Sequence, residues 1–186
     1  VDDTQFNTLA GNLVRLIVGG NDTTRTSMTG GLLALSQNPA EWAKLRANPG
    51  LVDSMVPEII RWQTPLAHMR RTATRDMEYL GQQVRKGDKL VCILGAPNRD
   101  PALFPDPDAF DITRPINNTR KNYRTFGQGP HYCVGVHQAR LNLEVMLEEI
   151  VGRMTDFRLL AAPRHARSIF MEGYKEMRVA FARRPA

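Results

Sequence analysis

The 186-residue chain reads as a mainly α protein with a minor β-sheet. Three observations predict this class. Leu9, Leu13, Leu16 and Ile17, and then Leu32, Leu33 and Leu35, recur at helical spacing over a long opening stretch. A second amphipathic helical pattern runs from Val136 to about Met154. Short runs punctuated by Gly81, by Lys86-Gly87-Asp88 and by Gly173 read as strands and turns.

In chain order, the first helix reaches about Gln37 and Asn38-Pro39 breaks it. A short helix from about Pro39 to Ala47 ends at the Asn48-Pro49-Gly50 turn. The next helix starts near Leu51 and stops at Pro65, because proline clashes with continued helix. From Met69 to Leu94 the pattern shifts to short strands. Ala96 to Pro115 holds five prolines and several aspartates, and reads as an ordered meander with a short helical turn near Pro101 to Phe104. A cysteine loop and its long helix follow. A β-rich tail then spans Phe157 to Phe181, with Gly173 at a hairpin turn. There are no repeats or low-complexity tracts, so one domain is expected.

Composition removes several function classes. The net charge is +6, but no basic stripe with interleaved aromatics is present, which argues against nucleic-acid binding. No apolar run approaches the length of a membrane span. The two cysteines stand in different contexts and do not form a disulfide framework, which suits a reducing cytoplasm. Cys92, in the apolar run Leu90 to Leu94, reads as a small buried hydrophobe. The opening residues VDDTQFNTLAGNLVRLIVGG contain no initiator methionine and no signal peptide, and the chain is expected to begin in mid-helix.

The segment Phe126 to Gly135, FGQGPHYCVG, carries the chemistry. Its three glycines and one proline shape a loop that lets a flat ligand approach the main chain. Cys133 lies just before a helix, near unpaired N–H groups and the positive end of the helix dipole, where a thiolate is favoured. The loop presents one anionic sulfur to an electron-poor group such as a metal. Residues alone leave other readings open. Cys133 could be a core residue. It could join His131 and His137 on zinc, although a closed zinc site usually needs four protein ligands. It could be a nucleophile with His131 or His137 as base, although no oxyanion apparatus is visible.

Other segments add to it. In LIVGGNDTT, Gly19 and Gly20 cost a helix roughly 1 kcal/mol each relative to alanine, but they let a ligand lie against it. Thr23 beside Asp22 can disturb the helical ladder and hold a water. In EIIR, Glu58 and Arg61 share one helical face.

FxxGxxxCxG, here Phe126, Gly129, Cys133 and Gly135, resembles the haem-binding loop of the cytochrome P450 superfamily, and the resemblance covers essentially the whole chain. It implies the C-terminal portion of that fold: long central helix, ExxR helix, meander, cysteine loop and following helix, and C-terminal β hairpin. Residues 1–186 would form one partial domain lacking its N-terminal half, expected to be inactive alone. The implied cofactor is haem b, with Cys133 as axial thiolate and the only protein ligand to iron. Gly127 and Gly20 would lie against the macrocycle, with Phe126, Gly129 and Gly135 shaping the loop. Arg71 and His131 would reach the propionates. Thr23 would hydrogen-bond dioxygen or its water, and Asp22 would bring protons from solvent. Glu58, Arg61 and Arg114 would form a structural lock. Leu66, Ala67 and Met69 would line an apolar substrate cavity.

The implied activity is a monooxygenase attacking an unactivated aliphatic C–H bond. NDTTRTSM and EIIRWQTPLAHMRRTA resemble bacterial members that hydroxylate alkane chains at the terminal carbon, and the tail AAPRHARSIFMEGYKEMRV resembles members acting on steroid side chains and terpenes. A haem protein that binds without oxygenating is the alternative, against which Asp22 and Thr23 argue. Arg114, Arg120, Lys121, Arg124 and Arg140 cluster near the cysteine loop and suggest a basic face for an acidic ferredoxin-type donor.

Overall fold

The structure is a computed structural model and describes residues 3–183; Val1 and Asp2, within the expected opening helix, lie outside the described residues. Among those described are five α-helices and eight short strands. Helix α1 (Asp3–Gln37) runs without interruption. Its two ends have different environments. Leu13, Leu16 and Ile17 are exposed, whereas Leu33, Ala34 and Leu35 are buried. Close approach to α3 (Val52–Gln63) accounts for the packed half. A Cβ at Gly30 would sit 1.8 Å from the Gln63 side chain, and one at Gly31 would sit 2.6 Å from Ile59. Only glycine allows the two helices this near.

Helix α2 (Pro39–Ala47) begins with proline at its first turn, where the missing N–H costs nothing. Helix α3 ends at Thr64, whose φ of 39° places it in the left-handed region. Pro65 then prevents continuation. Helix α4 (Ile116–Asn122) and helix α5 (Val136–Arg153) flank the cysteine loop. The core joins α1, α2, α3, the meander and α5 through Leu35, Leu45, Ile59, Ile112, Leu143 and Leu147.

The β structure is four two-stranded antiparallel ribbons. β1 (His68–Thr72) pairs with β4 (Lys89–Ile93), setting Met69 opposite Cys92 and Arg71 opposite Leu90. β2 (Met77–Tyr79) and β3 (Gln82–Val84) meet through Leu80 and Gly81, both at positive φ, as a tight hairpin requires. β5 (Met154–Leu159) pairs with β8 (Val179–Arg183), and β6 (Arg164–His165) with β7 (Tyr174–Glu176).

The expected helical turn near Pro101 to Phe104 is present, with the Leu103 and Phe104 N–H groups donating to the Asp100 carbonyl, and a 3₁₀ turn at Pro97–Arg99 precedes it. Three features differ from expectation. Helix α4 was not anticipated, because INNTRKN has no apolar period and only Thr119 of it is buried. Gly173 directly precedes β7 rather than forming a hairpin apex; its carbonyl accepts from Ala166 N–H, and its missing side chain leaves room for Thr26 of α1. Cys92 is exposed, as are its neighbours Val91 and Ile93. A two-stranded ribbon with uncovered faces does not bury an apolar run.

Candidate functional site

The site is assembled around a buried ion pair. Glu58 and Arg61 stand one turn apart on α3, and both are 0% exposed. Arg61 Nε and Nη2 donate to the two Glu58 oxygens, each at 2.7 Å. This bidentate geometry is the strong form of such a pair. Arg114, from the meander, adds a third member through Nε at 3.3 Å from Glu58 Oε1. The Asp111 N–H also donates to Oε1, at 2.9 Å. The remaining guanidinium protons hold the meander backbone. Arg61 donates to the Asn98, Pro107 and Ala109 carbonyls. Arg114 donates to those of Pro105, Asp106 and Ala109. Thus the three residues expected to act together are together, and no buried side-chain polar atom among the described residues lacks a partner.

A charged shell supports this centre. Burial pushes the Asp111 carboxyl upward, but hydrogen bonds from the Thr113 hydroxyl and N–H, with Arg114 and Lys44 nearby, outweigh it and leave the pKa lowered. Glu41 of α2 accepts from the Ile112 N–H at 3.1 Å. Burial, aided by the repulsion of Arg61, lowers the pKa of Arg99, whose guanidinium lies 3.9 Å from the Trp62 ring centre.

The cysteine loop follows from the meander. Gly127 and Gly129 both have φ of 72°, a conformation open to glycine and strained for other residues. The Cys133 N–H donates to the Phe126 carbonyl at 3.0 Å and closes the loop. Cys133 is half-buried, two residues before Gly135, the N-cap of α5. Phe126 packs edge-on to Tyr123 and Tyr132. Arg140 of α5 lies over Phe126 and donates to the Tyr123 hydroxyl.

On α1, Gly19 and Gly20 are exposed, and a Cβ at either would meet nothing within 4 Å. The helical ladder does not open at Thr23, contrary to expectation. Instead the Thr23 hydroxyl donates to the Gly19 carbonyl at 2.6 Å, the back-bond a threonine makes inside a helix. Asp22 pairs with Arg25 at 2.8 Å on the exposed surface. Arg71 is exposed, and its guanidinium donates to the Arg70 carbonyl at 3.0 Å. His131 is exposed on the loop. Leu66, Ala67 and Met69 are half-buried, and the first two are tied to the C-terminal tail through Met171 and the Phe170 carbonyl.

The Cytochrome P450 family model matches residues 2–173. The chain belongs to this family. It is 41% identical over 169 residues to linalool 8-monooxygenase of Pseudomonas putida, covering 91% of this chain and 41% of that protein. It is 34% identical over 173 residues to the steroid C26-monooxygenase of Mycobacterium tuberculosis, covering 92% of this chain and 39% of the relative. Cytochrome P450-153 from Novosphingobium aromaticivorans superposes with a TM-score of 0.87 at 42% identity, over 92% of this chain and 43% of that structure. The chain therefore spans about two-fifths of the length of the relatives it matches.

Membership implies the haem-thiolate cofactor of cytochromes P450, and the donor set fits it. Among the described residues, no three His, Cys, Asp or Glu side chains are gathered for a metal ion. A single thiol suffices when a porphyrin supplies the other ligands to iron. The open side of Gly20 and the left-handed loop glycines suit a flat macrocycle, and the fork of Arg71 faces no carboxylate among the described residues.

The basic face needs revision. Arg114 is only 8% exposed and belongs to the buried ion cluster. Arg124 turns its guanidinium onto the carbonyls of Lys121, Asn122 and Tyr123, and Arg140 is engaged by Tyr123. Arg120 and Lys121 remain exposed. Sequence reasoning missed Asn98, Thr64 and Thr125, described below, since nothing in PNRD signals that its asparagine is buried.

Glu58→Gln removes the one anion between two buried guanidinium groups, and an uncompensated buried charge costs about 3–5 kcal/mol. Denaturant unfolding should show a loss in that range, and a loss below about 1 kcal/mol would mean the pair behaves as a surface bridge.

Proposed function

We propose that the chain carries the haem-thiolate half of a monooxygenase that inserts one oxygen atom of O2 into an unactivated aliphatic C–H bond, using electrons from a redox partner in the cytoplasm. The supporting observation is the closed, glycine-shaped loop that ends in the half-buried Cys133 at the start of α5. When bound, haem supplies the reductive activation of dioxygen and the oxygen-atom transfer, with thiolate ligation favouring O–O cleavage.

The side chains have separable tasks in this reading. Cys133 binds iron, held by its own N–H on Phe126. Arg71 and His131 bind the propionates, the arginine by a two-pronged fork. Asp22, in contact with solvent beside Arg25, collects protons. The Thr23 hydroxyl donates to Gly19, so in this conformation its oxygen can only accept; turned from that carbonyl, the hydroxyl would hydrogen-bond dioxygen or its water. Leu66, Ala67 and Met69 exclude water and favour an apolar substrate.

Alkane or alkyl-chain hydroxylation is the substrate reading, resting on the likeness of residues 21–28 and 58–73. A terpene or steroid side chain is the second reading, because relatives are named for oxidation of linalool and of a steroid. The redox partner is an acidic ferredoxin docking near the cysteine loop, where Arg120 and Lys121 are exposed.

Three outcomes test these assignments. Reduced, carbon-monoxide-treated holoprotein should show the red-shifted Soret band of haem-thiolate, and Cys133→Ala and Cys133→His should abolish it; a band that survives removes Cys133 as ligand. Spin-state titration of the full-length protein should respond to linear alkanes. A response confined to terpenes or sterols selects the second substrate class. Turnover with an acidic ferredoxin should fall as salt rises and fall again in Arg120→Glu or Lys121→Glu. Insensitivity to both places the docking face elsewhere.

A further inference from the structure

Asn98 lies in the meander and is 1% exposed. All of its polar atoms are engaged. Its Nδ2 donates at 2.8 Å to the Thr64 hydroxyl and at 2.8 Å to the Thr125 hydroxyl. Its Oδ1 accepts from the Arg124 N–H at 2.7 Å. Its main-chain carbonyl accepts from Arg61 Nη1 at 2.7 Å. One residue therefore touches the buried ion cluster, the left-handed C-cap of α3, and the two residues that precede Phe126.

The direction of every proton in this network is determined. The Thr64 hydroxyl already donates to the Arg61 carbonyl at 2.9 Å. The Thr125 hydroxyl already donates to the Ile60 carbonyl at 2.8 Å. A hydroxyl has one proton, so both threonines can only accept from residue 98. The Arg124 N–H can only donate to it. Position 98 must supply two donors and one acceptor from one short planar group, which is the inventory of an asparagine amide. Aspartate offers no donor, and serine or histidine offers too few in this geometry.

Resting on the reading of Cys133 as haem ligand, we propose that Asn98 is the positioning residue for that thiolate. It transfers the rigidity of the Glu58–Arg61–Arg114 cluster to Arg124 and Thr125. From there the order passes through Phe126, whose carbonyl accepts from the Cys133 N–H at 3.0 Å. The order of the loop is thus fixed from behind, by hydrogen bonds to the α3 terminus, as well as from α5.

The test uses the haem-loaded full-length protein with Asn98→Asp, Thr125→Val and, as a core control outside this hydrogen-bond network, Leu147→Ala. Two readouts are followed: the ratio of thiolate-type to thiol-type Soret bands in the reduced carbon monoxide complex, and amide hydrogen exchange over residues 124–133. The expected result is a fall in the thiolate-type share for Asn98→Asp and Thr125→Val. Exchange over 124–133 should be roughly tenfold faster or more while the centres of α3 and α5 stay protected. Leu147→Ala should keep the band ratio despite its lower stability. If Asn98→Asp does not fold, Thr125→Val decides alone, since it removes one hydroxyl, the acceptor for Asn98 and the donor to the Ile60 carbonyl, and no charge. An unchanged ratio in the network variants, or an equal fall in Leu147→Ala, overturns the inference and leaves the ligand assignment standing. Absence of the thiolate-type band in the unmodified protein overturns both.

Discussion

The rest of the structure depends on placing one carboxylate, Glu58, between two guanidinium groups with no solvent at the ion pair's centre. Removing such charges from water costs several kcal/mol per ion, and the mutual attraction offsets this only when the remaining protons find partners. Here the partners are main-chain carbonyls of the meander. This condition links two parts of the fold. The meander has no regular ladder of its own between Arg99 and Ile116, so its carbonyls need donors. The guanidinium groups need acceptors. Each satisfies the other, and a proline-rich segment takes one conformation without secondary structure.

That arrangement explains the division of burial along the chain. The side chains that fix geometry, Glu58, Arg61, Arg114 and Asn98, are buried. Those with a proposed chemical task, Asp22, Thr23, Arg71, His131 and Cys133, are exposed or half-buried. In the first half of α1, Leu13, Leu16, Ile17, Gly19 and Gly20 are exposed, while Gly30 and Gly31 draw the second half onto α3.

What the sequence revealed follows physical lines. Periodicity located α1 and α5, because amphipathic helices carry their burial in their spacing, whereas α3 was bounded by its start near Leu51 and the stop at Pro65. The cysteine loop was legible because glycine, proline and cysteine are chemically distinctive at fixed offsets. The Glu58–Arg61 pair was visible, and Arg114 was found through family likeness alone. Features decided by tertiary partners were not legible. Arg114 counts as surface charge in any composition reading, yet it is neutralised inside the meander. Cys92 sits in an apolar run, yet its ribbon leaves it exposed. Helix α4 has no apolar stripe, and Thr23 meets a carbonyl four residues back instead of opening the ladder.

The positive charge of the chain acquires a different meaning once these partners are known. Of five basic residues clustered in sequence around the cysteine loop, one is buried against Glu58 and two are engaged by carbonyls or by a phenol. A guanidinium that holds backbone carbonyls still contributes its field, but not a mobile side chain that a partner could pair with. Of these five, Arg120 and Lys121, at the end of α4, remain exposed for the proposed partner. Cationic side chains at a helix C-terminus oppose the negative end of the helix dipole, so part of their charge is offset locally. Recognition of an acidic partner there would rest on few contacts, as suits a transient electron-transfer encounter rather than a stable complex.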